Sequence, residues 1–189
     1  HPYLLPCIFS SILSLISLSL AITRLPESLP FESRTISTGT PLKKFSGIFT
    51  NILKVMKLPN VSTLILANFL FMVGFSMMHG TFILFTAMEV ENGGLGFDEM
   101  QNGWIFAFIG LLGVIVQGGL IGKLTDRFNM KTLMIFGTFL SGLGIASLPY
   151  VPSNISWLVF VSSAALAIGN ALFSPTQSSL LSFESNNAG

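Results

Sequence analysis

Among the polar side chains inside long apolar runs of the sequence, six are candidates for chemistry: Asn68, His79, Gln117, Asn170, Ser174 and Gln177. Their chemistry is hydrogen bonding, with one imidazole able to exchange a proton near neutral pH. A covalent step would need more, such as an activated nucleophile, paired carboxylates or a set of metal ligands. The apolar runs hold no Asp, Glu, Lys or Arg, Cys7 is the single cysteine, and no H-E-x-x-H occurs. The set therefore reads as a binding surface rather than an enzyme's centre, and it implies no metal and no cofactor. On helices, Asn68 and His79 are about three turns apart and share a face, with Met72 and Phe75 between them. Ser163, Asn170, Ser174 and Gln177 fall on one face by the same arithmetic. Two roles fit each residue: lining a substrate cavity walled by Phe and Met, or hydrogen-bonding helix to helix.

The elements that must carry these residues follow from composition. Of 189 residues, 51% are hydrophobic, 9% are charged and 18 are Phe, and mean hydropathy is +0.75. Soluble domains have about a quarter of their residues charged. The chain reads as an all-α integral membrane protein, and its net charge of +1 argues against nucleic-acid binding. A bilayer core about 30 Å thick needs roughly 20 apolar residues of helix. Five runs meet that length, at Leu4–Thr23 and at residues 61–88, 103–122, 132–149 and 155–181. The first has no basic n-region and is followed by further spans, so it is not a cleaved leader. Cys7 has no partner for an internal disulfide. The opening His1 and the closing "ESNNAG" give the sequence the look of a fragment.

Charge sets the expected direction of each span. Residues 24–58 hold Arg24, Arg34, Lys43, Lys44, Lys54 and Lys57 against Glu27 and Glu32. The next connection has Glu89, Glu91, Asp98 and Glu99 and no basic residue. The third has Lys123, Arg127 and Lys131, and the fourth, "YVPSN", is uncharged. This alternation satisfies the positive-inside rule, with the first and third connections cytoplasmic. Pro26 and Pro30 end the first span. Phe45, Ile48, Phe49, Ile52 and Met56 recur at helical spacing beside lysines, which predicts a short helix on the membrane surface. Small residues at Gly103, Ala107 and Gly110, at Gly118 and Gly122, and at Gly137, Ser141 and Gly144 predict close helix contacts.

The third connection, "GKLTDRFNMK", is read as a tight turn. Gly122, Leu124, Asp126, Arg127, Lys131 and Leu133 fit G-x-L-x-D-R-x-G-R-R/K-x-x-L. This resembles motif A of the major facilitator superfamily, found between the second and third helices and again between the eighth and ninth. Two departures stand out: Asn129 replaces the usual Gly, a residue tolerant of the left-handed conformation, and Met130 replaces an Arg. "LPESLP" resembles the end of the family's sixth helix. "GFDEMQNGW" resembles the approach to its eighth, with Asp98 as helix cap. "GNALFSPTQSSLLS" is similar to the tenth helix of tetracycline-efflux and related drug–proton antiporters, and Gln117 matches a Gln of that pattern.

The resemblance implies a partial major-facilitator bundle. Residues 1–25 would be the sixth helix, 26–60 the cytoplasmic central loop, and 61–189 the start of the C-terminal half. It further implies a multi-pass protein of the plasma (inner) membrane, monomeric at full length, that exports small amphipathic compounds in exchange for protons. No GxxxxGK[ST] loop suggests ATP use. Pro175 would be a hinge in the tenth helix. The motif's Arg127 would pair with Glu184 in a latch closing the cytoplasmic side. Two other functions share the fold: a non-transporting receptor or assembly subunit, and a facilitator importing a small metabolite.

Overall fold

The computed structural model describes residues 4–24 and 59–186. The chain divides into two units, His1–Ile48 and Phe49–Gly189. The first contains α1 (Leu4–Arg24). Its hydroxyls turn back onto the helix: Ser11 Oγ donates to the Cys7 carbonyl at 2.8 Å, Ser14 Oγ to Ser10 at 2.9 Å and Thr23 Oγ1 to Ser19 at 2.7 Å. A lipid-spanning helix can thus carry Ser and Thr without exposing an unpaired donor. The surface helix expected around Phe45 to Met56 lies outside the described residues.

The second unit holds α2 (Pro59–Ala87), α3 (Glu99–Ile115), α4 (Ile121–Arg127), α5 (Met130–Ser147) and α6 (Leu158–Asn186). A five-residue π turn, Val116–Leu120, joins α3 to α4, so the two form one continuous span. Five helices are long and apolar enough to cross a membrane, and the described residues include no strand. The chain is an integral, multi-pass membrane protein.

The ends of the helices are chemically marked. The Asp98 carboxylate accepts from the Gln101 amide at 2.7 Å, and Gln101 Oε1 accepts from the Asp98 amide at 2.9 Å. This capping box ties off the free N–H groups that begin α3. Before it, Gly93 and Gly96 take positive φ of 87° and 65°, which a side chain would oppose. Asn129 does not adopt the left-handed conformation expected of it. At φ −62° and ψ 137° it is the N-cap of α5, its side chain accepting from the Lys131 amide at 3.1 Å. The charged turn is also shorter than expected. Helix continues through Lys123, Asp126 and Arg127, which leaves Phe128 and Asn129 as the connection.

Helix α6 is the centre of this unit and packs most extensively on α5, then on α3 and α2. The α5–α6 seam is built from small residues. A Cβ on Gly137 would come within 2.7 Å of the Gly169 carbonyl, and one on Gly144 within 2.6 Å of the Leu166 amide. Backbones approach this closely only where side chains are absent. The small residues of α3, the π turn and α4 behave otherwise. A Cβ on Gly103, Gly110, Gly118 or Gly122 would meet nothing within 4 Å, so the close contacts expected there are not made among the described residues. Two apolar clusters fill the unit. The larger joins Met78, Phe82, Ile105, Leu148, Val159 and Leu166, and the smaller joins Val116, Ala171 and Leu172.

Candidate functional site

Helices α2 and α6 run antiparallel in a constant register that sets the depth of each polar residue. Asn60 Nδ2 donates to Glu184 Oε2 at 3.2 Å. Eleven residues further along both helices, Phe71 stacks on Phe173 with ring centroids 3.9 Å apart and planes at 20°. Seven residues beyond that, Met78 and Leu166 share the larger apolar cluster. The same stepping places Asn68 level with Thr176, next to Gln177. Two carboxamides from different helices therefore lie at one depth.

Above them runs an aromatic series. Phe71 stacks on Phe75 (6.1 Å), Phe75 meets the His79 ring edge-on (4.7 Å), and His79 lies nearly parallel to Phe106 of α3 (6.0 Å). Of the two residues read between Asn68 and His79, Phe75 joins this series with Phe71 and His79, whereas Met72 is exposed. The union of the series with Phe173 and Phe106 needs the helix register, so sequence reasoning missed those two rings.

None of the six candidate side chains hydrogen-bonds to another described residue. Gln177 is buried, with 7% of its surface exposed. Asn68, Asn170 and Ser174 are half-buried, and His79 and Gln117 are exposed. Gln117 lies in the π turn, and the structure does not bring it together with the α2 and α6 residues in any bond or ring contact. Ser163, on the same face of α6, is buried and its hydroxyl has no partner.

Other polar residues hold the helices together. Thr86 Oγ1 donates to Asn102 Oδ1 at 2.6 Å, linking α2 to α3. Ser147 Oγ donates to Ser162 Oγ at 2.8 Å, and Ser141 Oγ to the Leu166 carbonyl at 3.3 Å. Polar groups in spans are costly toward lipid and face protein or water. With interhelical bonding assigned to hydroxyls, Asn60, Asn102 and Glu184, the amides of Asn68, Gln117, Asn170 and Gln177 keep their donors and acceptors free among the described residues.

The motif residues cluster at the other end of the unit from the acidic connection. Gly122, Leu124, Asp126 and Arg127 belong to α4 and Lys131 to the first turn of α5. Leu124 packs against the smaller apolar cluster. Arg127, in the last turn of α4, complements the negative end of that helix. Glu184 takes Asn60 as its partner here and makes no ion pair with Arg127. Pro175 lies inside α6, which remains one helix across it. Lacking an N–H, Pro175 leaves the Ala171 carbonyl without its intrahelical donor.

A family model described as the Major Facilitator Superfamily matches residues 3–189. The chain belongs to the Major Facilitator Superfamily. Among its relatives in this superfamily, it is 32% identical over 124 residues to the multidrug resistance protein MdtH of Proteus mirabilis. That match covers 62% of this chain and 28% of the relative. It is 24% identical over 174 residues to the human Hippocampus abundant transcript-like protein 1, covering 92% of this chain and 33% of the relative. It is 33% identical over 90 residues to dipeptide and tripeptide permease A of Erwinia pyrifoliae, covering 47% of this chain and 18% of the relative. The chain thus spans about a third or less of these relatives' lengths. No solved structure matches the chain significantly.

Proposed function

We propose that the chain forms part of a secondary active transporter that exports small amphipathic compounds in exchange for protons. Residues 1–25 supply a helix before the central loop, and 61–189 the start of the C-terminal half. The observation that supports this best is the pairing of superfamily membership with unbonded amides on α2 and α6. Asn68 and Gln177 offer donors and acceptors at one depth, and the aromatic series beside them offers apolar and stacking surface. That combination suits a ligand with one greasy and one polar face. Asn170, Ser174 and Gln117 extend the polar lining, and Pro175 supplies a hinge where α6 lacks one backbone bond. Likeness to a protein named for multidrug resistance supports export.

The apolar stretches 61–88, 103–122, 132–149 and 155–181 contain no acid, so proton coupling would rest on residues elsewhere in the full protein, with His79 as the one imidazole in these stretches. The plasma (inner) membrane and a monomeric state belong to the same reading. The test uses the full-length protein in sealed vesicles with an imposed pH difference. Dye movement against its gradient, abolished by collapsing the pH difference, is the expected result. Downhill flux indifferent to pH would replace exchange with facilitated import, and no flux of any dye or metabolite would leave a receptor or assembly subunit.

A further inference from the structure

At the acidic end of the second unit, four aromatic residues line a half-open hollow that transport does not require. Phe97, Trp104, Trp157 and Phe160 line it with Gln101 and Ser156, and its volume is about 280 Å³. Trp104 and Trp157 are the two tryptophans of the chain. Both are largely exposed, at 66% and 63%. An interfacial belt explains single tryptophans at the ends of spans. It does not explain two of them converging with two phenylalanines on one hollow.

Part of the wall is held in place independently of any ligand. The Phe97 amide donates to the Thr86 carbonyl at 2.8 Å, and Thr86 is itself bonded to Asn102. Gln101 is fixed by the capping box with Asp98. Phe160 packs edge-to-face on Phe108 of α3, with centroids 5.5 Å apart. The Phe97, Gln101 and Phe160 side of the hollow is therefore preformed, which lowers the entropy cost of filling it.

Charge indicates what fills it. The connection from α2 to α3 carries Glu89, Glu91, Asp98 and Glu99 with no Lys or Arg, and the α5–α6 connection is uncharged. Asp98 and Glu99 lie between the lining residues Phe97 and Gln101. The second unit's described cations, Lys123, Arg127 and Lys131, are at the opposite end. Aromatic faces attract cations, most strongly ones that lose water easily, and quaternary ammonium groups are the usual occupants of such rings. Carboxylates nearby raise the local concentration of cations.

We propose that this hollow is a binding site for a soluble organic cation bearing a quaternary ammonium group. It is separate from the α2–α6 face and does not depend on the transport reading. The experiment uses the full-length protein in phosphatidylethanolamine and phosphatidylglycerol vesicles, with tetramethylammonium as probe and equilibrium binding and tryptophan fluorescence as readouts. Saturable binding is expected, weakened about three- to fivefold by Trp157→Leu or Trp104→Leu, about the cost of one lost cation–π contact at an exposed site. Glu99→Gln should weaken it two- to threefold, roughly as expected for an exposed charge. Trp157→Phe keeps a ring in place and should restore most of the binding lost in Trp157→Leu, which separates loss of the π face from loss of fold. Absence of saturable binding by the wild type, or affinities of both leucine variants within twofold of it, would overturn the proposal. Loss of tetramethylammonium binding when phosphatidylcholine is added to the bilayer would also overturn it, by assigning the hollow to a lipid headgroup.

Discussion

Asn102 and Gln177 are both buried amides in a membrane bundle, and the structure holds them differently. Asn102 accepts from Thr86 and donates to the Asp98 carbonyl at 3.2 Å. Gln177 bonds to no described residue. Interhelical hydrogen bonds in membranes are worth about 0.6 kcal/mol on average, so Asn102→Leu is expected to lower stability by about 1 kcal/mol, read as a lower melting temperature in detergent. Gln177→Leu should leave that temperature unchanged or raise it. It should instead raise the KM for a transported compound about fivefold, the value of roughly one hydrogen bond of about 1 kcal/mol. A stability loss in Gln177→Leu equal to that of Asn102→Leu would show that its amide is structural. The sequence placed Gln177 on a polar face of its helix, since 3.6-residue periodicity is local. It could not show which amides find partners. That depends on the register between α2, α3 and α6, which no single-helix pattern contains.

The same distinction holds for whole elements. Five spans were legible because apolar length is a one-dimensional property, and the Asp98 cap because a capping box lies within four residues. The extension of α4 through Arg127 was not legible, because charge marks the edge of the lipid and not the end of a helix. Nor could a glycine pattern show its partner. Gly137 and Gly144 press on α6, while Gly103 and Gly110 press on nothing described. Gly144→Ala is therefore expected to cost about 1–3 kcal/mol by overpacking. Gly110→Ala should be neutral to stabilising by up to about 1 kcal/mol, the helix-propensity difference between the two residues. Thermal unfolding of both variants in one detergent makes the comparison. Equal losses would mean that helices outside the described residues pack on the α3 face as tightly as α6 packs on α5.

At the scale of the molecule, Glu184 joins α6 to α2. It is bonded to Asn60 on α2 in this conformation, while the resemblance to motif A pairs it with Arg127 in a latch. The two partners compete for one carboxylate, so the bond to Asn60 would favour the unlatched arrangement. An exposed ion pair adds about 0–1 kcal/mol, and an exposed hydrogen bond from an amide to a carboxylate is of comparable size. The balance should therefore shift severalfold on removal of either partner. Asn60→Ala is expected to favour the latched state, in which the cytoplasmic mouth of the full-length protein closes. Arg127→Ala should favour the open one. The readout is alkylation of a cysteine introduced into the cytoplasmic half of the cavity, slower in the first variant and faster in the second. The exchanged pair Arg127→Glu with Glu184→Arg should restore transport lost in each single change. If both single variants lose transport and the exchanged pair recovers none, Glu184 does not act through Arg127, and its role reduces to anchoring α2 on α6 through Asn60.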